Sequence, residues 1–422
     1  MLDRRTPPTY RKVEQISLPE TEQISLASGL PIHLYNAGQQ PVVRLEFITR
    51  RGSAHQELPG QAFFTARMLT EGTSQYSASQ IADKVDSLGA HLEASASLDF
   101  TTITLFALEK HLPALLPIVY SLLHEATFPE EELETLKSIK RQRLKIEEAK
   151  NSVVATRTFR SSLYPNHAYG KFLNPEHLDD LNQQKLKEYY KQNFEGQVEI
   201  FAAGQISGTT IELLREYFDD YNYKPSSYTF EEIRVNSEKG VKKVNKENSL
   251  QSSLRIGKPL FTSRHKDYHQ FTVLNTLLGG YFGSRLMKVI RESKGYTYGI
   301  YSSLNSLKNA GYFAIAADVV GEHTQASIDE VFRQIKLIQQ TPPSVEELET
   351  VQNYMVGSFL GSLNTPFAIA DKYKNIYFNQ LPADFFTQHV QQIYSTTPEK
   401  VQELAQTYLQ DEDMLTVAVG AV

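Results

Sequence analysis

The residues best placed to do chemistry lie at positions 284–304, "SRLMKVIRESKGYTYGIYSSL". The run SRLMKVIRES repeats its apolar residues at helical spacing and ends in a glycine turn at Gly295; YTYGIYSSL then alternates as a strand. Arg291 stands in the last helical turn and Tyr298 just past the turn, so a helix-turn-strand connection can bring both tips to one spot. A forked guanidinium and a phenol hydroxyl would offer their N–H and O–H groups to a single oxygen. A peptide carbonyl, or the oxyanion formed when it is attacked, is such an oxygen. The same residues have an architectural reading, with Arg291 neutralising a helix C-terminus and Tyr298 filling core. His265 and His269 in "RHKDYHQF" have the i, i+4 spacing of a helical metal pair, with Asp267 close by. No Glu stands where a catalytic helix motif requires one, and surface or capping histidines are the alternative. His55 and His124 have no partner in sequence and read as loop and helix-end residues. A phosphate loop, a G-x-S-x-G elbow and cysteine are all absent, which removes nucleotide-loop, serine-hydrolase, thiolate-zinc and disulfide chemistry together.

The elements that must carry these residues come in two sets. The letters EELET begin at Glu131 and again at Glu346, about half the chain apart, each copy following proline. Ahead of each copy lies an amphipathic helical stretch, and ahead of that a strand-like run, "DFTTITLFAL" and "NAGYFAIAADV". This is an internal duplication. Within each half, strands and helices interleave: "PIHLYNAGQQPVVRLEFITRRGS" reads as two strands around a turn, and "SASQIADKVDSLGAHLEASAS" as a helix followed by a strand. Strands paired through hairpins, with helices on one face, predict an α+β fold of two homologous sandwich halves. The expected division is residues 1–221, a polar linker and start of the second half at 222–249, and residues 250–422. The stretch "LPALLPIVYSLL" is too short to span a bilayer and contains two prolines, so it reads as a core helix. A net charge of −6 with no basic block gives no reason to expect nucleic-acid binding.

The segment "GGYFGSRLMKVIRESKGYTYGI" resembles the C-terminal signature of the pitrilysin/insulinase family of zinc peptidases, whose Arg and Tyr fall on Arg291 and Tyr298. The resemblance extends to "GQAFFTARMLTEGT", which is similar to that family's zinc helix, Gly-x-Ala-His-x-x-Glu-His-Met-Leu followed by Gly-Thr. Gly60, Ala62, Met68, Leu69, Gly72 and Thr73 are kept in register. The two His ligands and the general-base Glu of the inverted motif are replaced by Phe63, Arg67 and Ala66. None of these can ligate zinc. The family's third ligand is a Glu on a later helix, for which "KIEEAK" offers Glu147 or Glu148; a lone carboxylate does not make a zinc site.

The resemblance implies duplicated α+β halves forming half of a clamshell, and no zinc in this chain. Some family members split the clamshell between two chains, one carrying His-x-x-Glu-His and the other keeping only the Arg and Tyr. The implied partners are a zinc-bearing homologous subunit and a peptide or unfolded polypeptide; homodimeric, peptide-binding and purely structural roles are the alternatives. The N-terminal residues have no apolar signal core, so a cytoplasmic location is expected, or a periplasmic one if a signal peptide was removed.

Overall fold

The computed structural model describes residues 13, 16–225, 233 and 237–422. The first half contains strands β1 (Glu22–Ser25), β2 (Pro31–Asn36), β3 (Val42–Thr49), β4 (His91–Ala96), β5 (Thr101–Leu108) and β6 (Val198–Gly204). Its helices are α1 (Gln61–Met68), α2 (Ala78–Ser87), α3 (Leu112–His124), α4 (Glu130–Ala149), α5 (Asn151–Leu163), α6 (Gln183–Asn193) and α7 (Gly208–Phe218). The second half contains β7 (Gly240–Asn245), β8 (Gln251–Leu260), β9 (Thr297–Ser306), β10 (Gly311–Val320) and β11 (Leu415–Gly420). Its helices are α8 (Tyr268–Asn275), α9 (Thr324–Gln340), α10 (Val345–Gly361), α11 (Pro366–Asn379), α12 (Phe385–Ser395) and α13 (Pro398–Tyr408), with π-helical turns at Thr276–Gly280 and Met287–Ser293. No described helix is long and apolar enough to cross a membrane.

The duplication is visible in the topology. The first sheet runs β1-β2-β6-β3-β5-β4 and the second β7-β11-β8-β10-β9. Leaving β1 aside, the orders correspond strand for strand, and the pair β2–β6 is parallel, as is β7–β11. EELET opens α4 in one copy and α10 in the other. The apolar stretch predicted as a core helix is α3, where Leu115, Leu116, Ile118, Val119 and Leu122 are buried.

One expectation needs correction. The turn between β2 and β3 does not close a hairpin. Strand β6, from far along the chain, inserts between them, parallel to β2 and antiparallel to β3. Its run "VEIFAAG" is buried at every position, as a central strand covered on both faces must be. The segment 222–249, expected to hold a linker and the start of the second half, contains β7, which extends the second sheet beside β11; residues 226–232 and 234–236 of it lie outside the described residues.

Each sheet carries its own half's helices on one face and a helix of the other half on the opposite face. On the second sheet, Ala155 and Phe159 of α5, Leu163 and Tyr164 pack against Leu415, Val417 and Val419 of β11, and the Tyr164 hydroxyl donates to the Gly311 carbonyl at 2.9 Å. The reciprocal contact of α11 on the first sheet is partly ionic. Arg44 donates to Asp371 at 2.7 Å and Lys374 to Glu46 at 2.6 Å, while Arg50, held by Glu199 of its own half, lies over the Tyr377 and Phe378 rings of α11. These exchanged helices fix the two halves together, one contact mainly apolar and the other combining aromatic packing with hydrogen-bonded charge.

Candidate functional site

Arg291 sits near the end of the widened turn Met287–Ser293. The amphipathic helix read from the sequence is therefore present but wound more loosely than an α-helix. The Lys294 amide donates to the Val289 carbonyl and the Tyr296 amide to the Ile290 carbonyl, both at 3.0 Å. Wide turns of this kind cluster at functional sites because they displace a side chain from the regular helical position. The chain leaves through Gly295, whose φ of 68° lies in the left-handed region that favours glycine. Arg285 anchors the helix from its other end. Its guanidinium donates to both oxygens of Glu347, the second Glu of the repeated EELET, at 2.8 and 2.7 Å.

Tyr298 is aimed by a different device. In a regular strand, residues 298 and 300 would share a face, yet Ile300 is buried and Tyr298 is 93% exposed. A β-bulge separates them: Thr297 pairs with Val319 and Ile300 with Ala317, so Tyr298 and Gly299 together face Asp318. Bulges bend a strand and re-aim a side chain in this way. The Thr297 hydroxyl pins the bulge, lying 2.6 Å from the Asp318 carbonyl and 2.9 Å from the Gly299 carbonyl, and accepting from the Gly299 amide at 3.1 Å. Its exposure removes the core-filling reading of Tyr298.

The two side chains line one cleft of about 590 Å³, shared with Gln251, Tyr296, Thr297 and Asp318. The cleft opens beside the start of β9, the edge strand of the second sheet, which among the described strands pairs with β10 alone; farther along, its outer side is packed by the two π-helical turns, with the Met287 sulfur accepting from the Ile300 amide. The half-buried Arg291 guanidinium lies over the Phe282 ring at 4.6 Å. Arg291 and Tyr298 thus line the same cleft beside the sheet's edge strand, together with the exposed Glu292.

The first half presents the corresponding helix without metal chemistry. In α1, Ala66 is fully buried, Phe63 is half-buried and Arg67 is exposed. Lys140 of α4 lies over the Phe63 ring at 4.9 Å. Burial lowers the Lys140 pKa; Glu147 opposes that shift, while Arg143 and Arg157 add to it. Of the two carboxylates left open by the sequence, Glu147 turns toward this group and Glu148 is exposed. Glu147 is already engaged, 2.9 Å from Arg143 and 3.6 Å from Arg157. A zinc ion would meet a phenyl ring, a methyl group and several cations around one neutralised carboxylate, and these residues do not fit it.

His265 and His269 do not converge either. His265 stacks on Phe261 at 4.2 Å and accepts from the Asp267 amide. His269 is buried and places its Nδ1 3.0 Å from Nδ1 of His389 on α12. His124 closes α3 and stacks on Tyr120, and His55 lies in a short 3₁₀ turn. Sequence reasoning missed Phe282, Thr297, Lys140 and the His269–His389 pair. Phe282 stands next to the conspicuous Gly-Gly run, but the other three depend on contacts between distant segments.

The chain matches the description "Insulinase (Peptidase family M16)" over residues 35–175 and "Peptidase M16 inactive domain" over residues 180–355. It is 27% identical to the "Uncharacterized zinc protease YmxG" of Bacillus subtilis, over 74% of this chain and 77% of that one. It is 24% identical to the "Non-peptidase homolog YmxG" of Helicobacter pylori, over 85% and 84%. In fold it is similar to the crystal structure of a peptidase M16 inactive domain from Pseudomonas fluorescens, with a TM-score of 0.85 and 23% identity over 95% and 98% of the two chains. From the duplicated sheets, the degenerate zinc helix and these matches, the chain belongs to the pitrilysin/insulinase (M16) peptidase family, as a member whose zinc helix lacks every metal-ligating side chain.

Proposed function

We propose that this chain is the catalytically incomplete subunit of a two-chain zinc peptidase. A homologous subunit with an intact His-x-x-Glu-His would supply the metal and the general base. Arg291 and Tyr298 would hold the substrate's scissile carbonyl and stabilise the tetrahedral intermediate. The supporting observation is that both residues line one cleft at the start of β9, the edge strand of the second sheet. An extended peptide added to that edge would gain main-chain hydrogen bonds while its carbonyls pass the donors. The reading is tested by measuring peptidase rate and bound zinc for the chain alone, the zinc-bearing homologue alone, and the two mixed. The mixture should be active, with zinc in the homologue only. Arg291→Ala should then lower turnover by about 10²–10³ while the complex still forms. Activity or stoichiometric zinc in the isolated chain would refute the assignment.

A second reading, a peptide-binding subunit without enzymatic activity, draws on the likeness to a relative described as a non-peptidase homologue. It uses the same cleft. The two separate cleanly: under the second reading the mixture stays inactive, but Arg291→Ala still weakens peptide binding.

A further inference from the structure

We infer that Phe282 is the positioning residue that holds the Arg291 guanidinium at the lip of the cleft, and that the glycines around it exist to deliver that ring. The inference rests on the proposed role of Arg291 in binding a peptide carbonyl.

The argument starts from "LLGGYFGSR" at residues 277–285. The π-helical turn Thr276–Gly280 lies against β9, and a Cβ on Gly279 would come within 2.7 Å of the Ser302 backbone nitrogen. Only glycine permits that approach. The Ser302 hydroxyl donates to the Asn275 carbonyl at 3.0 Å and binds the same turn to the strand. Just beyond it, the Tyr281 ring packs against Tyr354 of α10 in a tilted pair at 4.7 Å, fixing the loop from the other side. Directly after these two anchors Phe282 is 58% exposed, a poor place for a large apolar side chain unless it has work to do. Its ring lies under Arg291. Among the described residues the Arg291 guanidinium has no hydrogen-bond or ion-pair partner, so the ring is what restrains it. A cation held on an aromatic face keeps its N–H groups pointing outward in the ring plane and free to donate, whereas a carboxylate partner would occupy them. Arg285, one helix turn and a half earlier, shows the contrast: both its hydrogen bonds go to Glu347.

The test uses the isolated full chain with two readouts. The first is the rate at which phenylglyoxal modifies Arg291, followed by mass spectrometry. Phe282→Ala should raise that rate about two- to fivefold, the range set by an exposed cation–aromatic contact, and Phe282→Trp should restore it. The second is the affinity for fluorescein-labelled, denatured casein. Phe282→Ala should weaken it by a similar factor in the wild-type background and add nothing to Arg291→Ala. An unchanged modification rate overturns the positioning role whatever casein does. An equal loss of affinity in both backgrounds overturns it too, since Phe282 would then be contacting peptide directly. If Arg291→Ala leaves casein binding unchanged while the modification rates behave as stated, the ring positions Arg291 and the carbonyl-binding reading is what fails.

Discussion

The buried His269–His389 pair makes the second half sensitive to mild acid, and the size of the effect follows from its surroundings. His269 is 8% exposed, packed against Phe385 with ring centroids 4.5 Å apart, and its Nδ1 is 3.0 Å from that of His389. Two ring nitrogens this close share one proton, one donating and the other accepting, so protonating both would set two donors against each other. Burial pushes the His269 pKa down to about 4. The His389 pKa is lowered by burial, then by His269 and Lys372. In the unfolded chain each would titrate near its ordinary 6.5. Below that value the unfolded state binds more protons than the folded one, so stability falls with pH from 6.5 toward 4 and is level above. At pH 5 the neutral His269 alone costs about 2 kcal/mol relative to pH 7. Carboxylates held ionised by cations fall outside this window. Glu199, which burial pushes up but bonds from His33 and Arg50 bring down to about 2, keeps its contribution until pH falls below about 4.5. Urea unfolding followed by circular dichroism at pH 7 and pH 5 measures the difference. His269→Gln should remove about 2 kcal/mol of the pH dependence. A variant whose stability drops in parallel with wild type between those pH values, or a histidine NMR titration placing His269 near 6.5, would refute the reasoning.

Two further perturbations address the site. Thr297→Val keeps the shape of the side chain but removes the hydroxyl that pins the bulge; it should cost about 1–2 kcal/mol and speed hydrogen exchange at the Gly299 amide, with weaker peptide binding as Tyr298 loses its aim. Restoring the motif with Phe63→His, Ala66→Glu and Arg67→His should not produce a tight zinc site, because Lys140 remains over position 63 and Glu147 stays paired. Repulsion between one such ammonium and a divalent ion is on the order of several kcal/mol. Calorimetry should therefore show zinc binding strengthen by about 10² or more when Lys140→Gln is added to the triple variant.

Much of the architecture was legible because it is repeated. EELET, the flanking strand-like runs and the frame from Gly60 to Thr73 each record a local requirement: a helix start, a pleated face, a helix packed into its own half. That Arg291 and Tyr298 line one cleft was legible for a different reason: a helix, a glycine turn and a strand in sequence order bring the two positions near each other. What stayed hidden is non-local. Nothing in the residues of β2 and β3 states that β6 lies between them, because its partners are chosen by pairing across the first half. The apolar side of α5 reads as an ordinary core face; only the three-dimensional structure places it on the second half's sheet. The bulge at Tyr298 depends on where β10 finds its register with β9. Nothing in the sequence around Lys140 singles it out; its place over the Phe63 ring depends on how α4 packs against α1.

The two halves therefore separate two demands that the intact family motif makes of one chain. Every residue lining the Arg291–Tyr298 cleft belongs to the second half, so the donor pair needs nothing from the first half except a platform. That platform is supplied by α5 on the second sheet and α11 on the first, contacts in which Phe63, Ala66 and Arg67 take no part. Loss of the zinc residues consequently leaves both the fold and the donors in place. Ala62, Phe64, Met68 and Leu69 keep the α1 segment buried, and the inward face of that helix, released from holding a metal, is taken by an aromatic ring with a lysine upon it. On the proposed role of the donor pair, Phe282 and Thr297 would therefore bear on peptide binding more directly than the degenerate helix, since one lies against Arg291 and the other holds the bulge that carries Tyr298.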